Sequence, residues 1–399
     1  MSQEFKNRME TVRVRVTDGE GKAVPGAKVR FRETKQEFLL GAGAFDTLKL
    51  PDPFTEERVE KWLKLLNYGT LPFYWGGYEP VEGAYEEESR MKAAKFLLAH
   101  DVTPKGHPLC WHTSCADWLL KYDNKTIMEK QLARITRDVT AFRGVIDIWD
   151  VINETVIMPV FDRYDNAITR ICNAYGRINL IKEVFDAAKA ANPDALLLIN
   201  DFNLSPEYEK VIDEALTKGV PIGAIGLQTH QHQGYRGKAY MEDVIRRFSK
   251  FGLPLHFTEN TLVSGHLMPP EIVDLNDYQV SEWPSTAEGE ARQEQEWKEM
   301  AELMFGSDEV DALTGWDFAD GAWLHAPSGL VRLDNSEKPA YKMLCKLFRE
   351  EWMTDVTCVT DEAGYADFTG YRGKYEVSSD GKNTEFVLKK GLSEAEIVL

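Results

Sequence analysis

Two glutamates close apolar runs in this sequence: Glu154 ends Val151-Ile152-Asn153-Glu154, and Glu259 follows Leu255-His256-Phe257-Thr258. Other apolar runs end the same way, in side chains able to do chemistry. These ends read Gly106-His107-Pro108-Leu109-Cys110-Trp111-His112, Asn200-Asp201, Gln228-Thr229-His230-Gln231-His232, and Trp316-Asp317 with Asp320 and Trp323 beyond. A pair of carboxyls on rigid supports is what glycoside hydrolysis needs. One is protonated and serves the leaving oxygen; the other is ionised and attacks the anomeric carbon, about 5–5.5 Å away in a retaining mechanism. Asn153, beside Glu154, can reach a sugar 2-hydroxyl, where a hydrogen bond strengthens in the transition state. The generous supply of Trp, Tyr and Phe fits stacking on ring-shaped ligands.

Something must hold these groups around one mouth. Eight short apolar runs, starting near residues 38, 68, 103, 145, 195, 222, 253 and 311, alternate with helical patterns near 55–66, 86–100, 126–142, 175–191, 205–218, 239–251, 288–305 and 339–350. Ser205-Pro206 reads as a helix start, and Asn192-Pro193 as a stop. Eight such pairs predict an α/β chain, a (β/α)8 barrel over 36–354, with functional side chains at the C-terminal ends of the strands. A doubly wound open sheet is the rival, but no G-x-G-x-x-G follows the first run. Residues 1–35 and 355–399 alternate apolar and charged residues around DGEG and DGKN turns. The first predicts a two-stranded antiparallel unit, with Val12, Val14 and Val16 facing Val29 and Phe31. Their opposite charge balances favour one small accessory β-module built from both ends.

A formal net charge of −18 disfavours nucleic-acid and membrane-surface partners. The five cysteines form no C-x-x-C, so neither a disulfide framework nor a zinc knuckle is expected. They read as small buried hydrophobes. No signal-peptide pattern opens the chain, and the expected location is the cytoplasm. No cofactor is expected, and oligomeric state is not readable.

The motifs Gly106-His107-Pro108-Leu109-Cys110-Trp111-His112, Trp149-Asp150-Val151-Ile152-Asn153-Glu154, Gly226-Leu227-Gln228-Thr229-His230, Phe257-Thr258-Glu259 and Trp316-Asp317-Phe318-Ala319-Asp320, in this order, resemble glycoside hydrolase family 10, the family of endo-β-1,4-xylanases. The resemblance spans about residues 36–354. It implies Glu154 as acid/base and Glu259 as nucleophile. It further implies that His107, Trp111, Asn153, Gln228 and His230 hold the sugar, with Trp316 and Trp323 stacked over it and a xylo-oligosaccharide or related β-glycoside as substrate.

Two departures stand out. The family's second strand carries an E-N-x-M-K-W pattern that grips sugars, whereas this chain reads Thr70-Leu71-Pro72-Phe73-Tyr74-Trp75. Tyr74 and Trp75 are the expected binders there. Losing charged hydrogen bonds worth roughly 1.5–3 kcal/mol each predicts short substrates rather than polymeric xylan. The apolar strand would either face an aglycone or close the cleft into an exo-acting pocket. In addition, Thr261 stands where the family often places an Asp behind the histidine, so the tuning of the His230–Glu259 pair should differ.

Two other classes fit part of this pattern. His230-Gln231-His232 is an H-x-H that, with His107 and Asp317, could chelate zinc in an amidohydrolase-like barrel. The altered second strand also allows a catalytically silent sugar-binding protein. His112 is equally readable as a core histidine or a functional one. Trp62, Trp118, Trp297 and Trp352 read as core. The insertion at roughly 262–287, containing Trp283, is long enough to expect a functional wall of the cleft.

Overall fold

The computed structural model describes residues 5–399; residues 1–4 of the predicted N-terminal segment lie outside them. Strands β1 (Met9–Thr17) and β2 (Lys28–Gln36) come first. The barrel follows: β3 (Leu39–Gly43), β4 (Tyr68–Pro72), β5 (Thr103–His107), β6 (Ile148–Asn153), β7 (Leu196–Asp201), β8 (Ala224–Gln231), β9 (Leu255–Leu262) and β10 (Val310–Gly315). The chain ends in β11 (Asp355–Val359), β12 (Tyr365–Tyr371), β13 (Gly373–Ser379), β14 (Lys382–Leu388) and β15 (Glu394–Val398).

β3 to β10 close into one barrel, each paired in parallel with its neighbours in chain order, β10 returning to β3. The helices at 53–65, 87–99, 124–141, 177–191, 206–217, 238–249, 287–306 and 339–346 wrap it. Ser205 caps its helix through the Glu207 N–H, with Pro206 in the first turn. Barrel strands are buried on both faces, so they read as apolar runs rather than alternating ones. Their interior needs small residues where large ones project: a side chain at Gly106 would collide with the Trp149 ring, and one at Gly226 with Asn200. Trp62, Trp297 and Trp352 are buried in this core, and Trp118 packs against it. Cys110 and Cys172 are buried, while Cys115, Cys345 and Cys358 are partly exposed. Among the described residues no helix is long and apolar enough to cross a membrane.

Both chain ends build one β-sandwich, of sheets β12-β1-β15 and β11-β2-β13-β14. The expected pairing of β1 with β2 is corrected: they lie in different sheets. A hairpin would set both apolar faces on one side of one sheet and leave that side uncovered. Split between sheets, Val12, Val14 and Val16 meet Val29 and Phe31 across a shared core with Phe368 and Phe386. The opposite charges of the two ends do meet, as Arg13–Asp361, Arg15–Glu396 and Arg30–Asp355. Arg8, 4% exposed, ties the module to the barrel by donating to Phe305 O (2.9 Å) and Ser307 O (2.6 Å).

Candidate active site

The C-terminal ends of the barrel strands open into a cleft of about 1110 Å³. Tyr74, His107, Trp111, Asn153, Glu154, Gln228, His230, Glu259, Trp316 and Trp323 all line it, and so does His112. Trp75 does not, and that expectation is corrected. Tyr74 and Trp75 straddle the start of a helical turn at 75–78, where neighbouring side chains diverge by about 100°. Tyr74 faces His107 and Trp111 (ring centroids 5.7 and 5.5 Å), while Trp75 packs on Trp118 and Arg134 and donates to Glu79 (3.0 Å). Phe73 leaves the cleft too, buried against Trp149.

Glu259 is 4% exposed yet richly paired. Asn200 Nδ2 donates to its Oε1 (2.8 Å), His230 Nε2 meets its Oε2 (3.1 Å), and His107 Nε2 lies 3.9 Å from Oε1. Behind His107, Nδ1 bonds Asp150 (2.7 Å), and Asp150 also takes the ammonium of the fully buried Lys105 (2.8 Å). Burial pushes the Glu259 carboxyl up, but His107, His230 and Lys105 outweigh it and hold it below its ordinary value. Burial likewise opposes ionisation of Asp150, and Lys105 and His107 overcome it, bringing that carboxyl down to about 2. Thr261 supplies a hydroxyl, 3.1 Å from His230 Nδ1, where a carboxylate would have added charge.

Glu154 follows β6 with φ +58°, a left-handed conformation rare for a side-chain-bearing residue. Its N–H bonds Asn200 O (2.8 Å), which holds the turn, and Asp201 accepts from the Val156 N–H (2.9 Å) and Thr155 hydroxyl (3.1 Å) beyond it. Trp111 Nε1 donates to the carboxyl (2.8 Å). Burial is the largest influence, and with the nearby Glu259 and Asp201 charges it pushes Glu154 up to about 8 against the Trp111 bond. His112 Nε2 stands 3.9 Å away, and burial lowers that imidazole to about 4, so it is neutral near pH 7.

One amide web joins the two acids. Asn200 Nδ2 and Gln228 Nε2 both donate to Asn153 Oδ1 (2.8 and 2.9 Å), Thr258 donates to Asn200 Oδ1 (2.6 Å), and Asn153 Nδ2 reaches Glu154 Oε1 at 3.4 Å. Trp316 stands edge-on to His107 and His230, and Trp323 covers His230 (4.8 Å) and His232 (5.1 Å). Sequence reasoning assigned no role to Lys105, Asp150, Asn200 or Thr258. The available signal was charge inside an apolar strand: Lys105 and His107 lie two apart on one face of β5.

One histidine of the H-x-H is already engaged. His230 spends both ring nitrogens on Thr261 and Glu259, His107 holds Asp150, and Asp317 accepts from Ser328 (2.5 Å). Among the described residues no three His, Cys, Asp or Glu side chains gather as a metal site.

The profile described as glycosyl hydrolase family 10 matches residues 73–347. Endo-1,4-beta-xylanase 2 of Arabidopsis thaliana is 24% identical over 396 residues, covering 94% of this chain and 33% of that protein. Endo-1,4-beta-xylanase B of Thermotoga neapolitana is 32% identical over 200 residues, covering 46% of this chain and 54% of its own length. The chain thus spans about a third to a half of such curated relatives. Among solved structures, the family 10 enzyme of Paenibacillus barcinonensis aligns with TM-score 0.66 and 25% identity, over 78% of this chain and 95% of that one. Xylanase 10B of Thermotoga petrophila, solved with xylobiose, shares the fold with TM-score 0.65 and 21% identity, over 79% and 95%.

Proposed function

The chain belongs to glycosyl hydrolase family 10, and from that premise we propose a retaining β-glycosidase that cleaves β-1,4-xylosidic bonds in short, xylan-derived oligosaccharides or related β-glycosides. The observation that carries the proposal is the opposed environment of two carboxyls in one cleft. Glu154 is held up at about 8 and keeps its proton near neutrality, while Glu259 is held low and ionised.

In the first step Glu259 attacks the anomeric carbon and the glycosidic bond breaks, the leaving oxygen taking the proton of Glu154. The bond to Glu259 removes its negative charge, one of the causes that raise Glu154. The Trp111 N–H then favours the carboxylate form. Glu154 is thereby prepared to take a proton from water as the water oxygen attacks the anomeric carbon and the bond to Glu259 breaks, releasing the sugar with its configuration retained. Asn153, aligned by Asn200 and Gln228, is placed for the 2-hydroxyl.

Short substrates are favoured by what surrounds Tyr74. Phe45 stands edge-on to its ring (6.2 Å), and Lys49, Arg58 and Asp46 of the cleft lining are already paired, Lys49–Asp46 at 2.8 Å and Arg58–Asp46 at 3.4 Å. The deciding experiment is product analysis on xylan, a xylo-oligosaccharide ladder and an aryl β-xyloside, with Glu259→Ala as blank. Turnover of the short substrates with little from xylan is expected. Efficient release of a spread of oligomers from xylan would overturn the restriction to short substrates; no Glu259-dependent turnover of any of the three would remove xylose recognition.

A further inference from the structure

We infer that an ion-paired strap closes the leaving-group end of the cleft, so that the group released beyond Glu154 must be short. The inference rests on Glu154 being the acid. An acid stands beside the leaving oxygen, and the departing group therefore runs on past Glu154, toward the loops after β6 and β7.

Two walls flank that end. The loop after β6 brings Ile157 and Phe161, and the insertion between β9 and the 287–306 helix brings Val273, Asp274, Leu275 and Asn276. They are joined: Arg163, on the first wall, pairs with Asp274 (3.2 Å) and Asp277 (2.6 Å) on the second. β7 and β8 lie between β6 and β9 in the barrel, so the bridge spans the sector of the rim that they occupy. Phe202, 44% exposed after β7, gives that sector an apolar surface.

The insertion is also fixed in place. Val263, Met268, Trp283 and Ala326 form a separate buried core, to which Leu275 and Tyr278 add. The loop after β8 holds it from below: Gln233 Nε2 donates to Pro269 O (3.0 Å) and Ile272 O (2.7 Å), and Met268 N–H donates to His232 O (2.9 Å). With its base packed, the insertion needs only Arg163 to fasten its tip across the rim. A polymer lying through an open groove would have to cross this strap. A single sugar or a compact aryl aglycone would not. The substrate class is therefore a chain cut near its reducing end, or a glycoside with a small leaving group.

The test compares initial rates on xylan, xylohexaose and an aryl β-xyloside for the wild type, Arg163→Ala and Arg163→Glu. The glutamate would face Asp274 and Asp277 with like charge, so opening should be graded. Aryl-xyloside rates should stay unchanged in all three, which also reports intact folding. The xylan-to-aryl ratio should rise roughly two- to five-fold in Arg163→Ala, the scale of exposed ion pairing, and further in Arg163→Glu. An unchanged ratio in both variants, or a wild type that already cuts xylan into a spread of oligomers, overturns the strap and leaves the acid pair standing. Absence of Glu259-dependent aryl-xyloside hydrolysis in the wild type would instead remove the glycosidase reading, and the strap's role with it.

Discussion

The surroundings of Glu259 and of Glu154, with side chains 5% and 15% exposed, both withdraw a carboxyl from water and treat it in opposite ways. Around Glu259, Asn200, His230 and His107 approach the two oxygens, and Lys105 and Asp150 stand behind. Around Glu154 the close donor is Trp111, and the imidazole nearby is neutral near pH 7. Burial alone raises both groups; what separates them is that Lys105, His107 and His230 bring Glu259 down, whereas the Glu259 and Asp201 charges push Glu154 further up. Division of labour between chemically identical side chains thus comes from their neighbours.

The strongest way to break this comparison is to replace the acid. Glu154→Gln should cost about 10²- to 10⁴-fold on xylo-oligosaccharides, the usual worth of a general acid, and far less on aryl glycosides with good leaving groups. Equal loss on both substrates would count against the assignment. In the wild type, the alkaline limb of kcat/KM should fall as Glu154 ionises near pH 8.

Asp150→Asn tests the other side. It removes the charge that anchors His107 and Lys105, leaving Lys105 without its buried partner. Activity should drop by roughly 10- to 100-fold, and the acid limb of the pH profile should move upward as Glu259 loses support for its anion. A drop without movement of that limb would mark Asp150 as merely structural.

The smallest effect is on stability. Glu154 is raised when folded, so the folded protein binds an extra proton between the ordinary carboxylate value and about 8. That stabilising contribution is complete below the ordinary value and is lost as pH rises through about 8. Glu154→Gln has no proton to lose. Its Tm should exceed the wild type's by roughly a few degrees at pH 8, with the gap narrowing toward pH 5. A gap that does not change with pH would mean that burial does not act on Glu154 as described.

Much of this site was legible because strand ends are local. Glu154, Glu259, His107 and Gln228 each terminate an apolar run, and the order of the runs places them around one mouth. Lys105 and Asp150 were harder to read, since a charge within an apolar strand acquires meaning only when its partner on the neighbouring strand is known. Trp75 went the other way: its neighbour Tyr74 enters the cleft, and one step of helical turn carries Trp75 into the surrounding layer. The pairing of β1 and β2 failed for a related reason. Alternation reveals an apolar face without saying which sheet will cover it.

The linear chain by itself determined the barrel's rhythm, the two acids and the loss of a polar grip on the second strand, because periodicity and residue type are written in it directly. Only the tertiary structure supplied the neighbours that set the surroundings of Glu154 apart from those of Glu259, decided which strand faces which across the sandwich, and showed that Arg163 reaches Asp274 and Asp277 over more than a hundred residues. Those outcomes depend on charge and burial summed over neighbours distant in sequence, and the fold alone sets those distances.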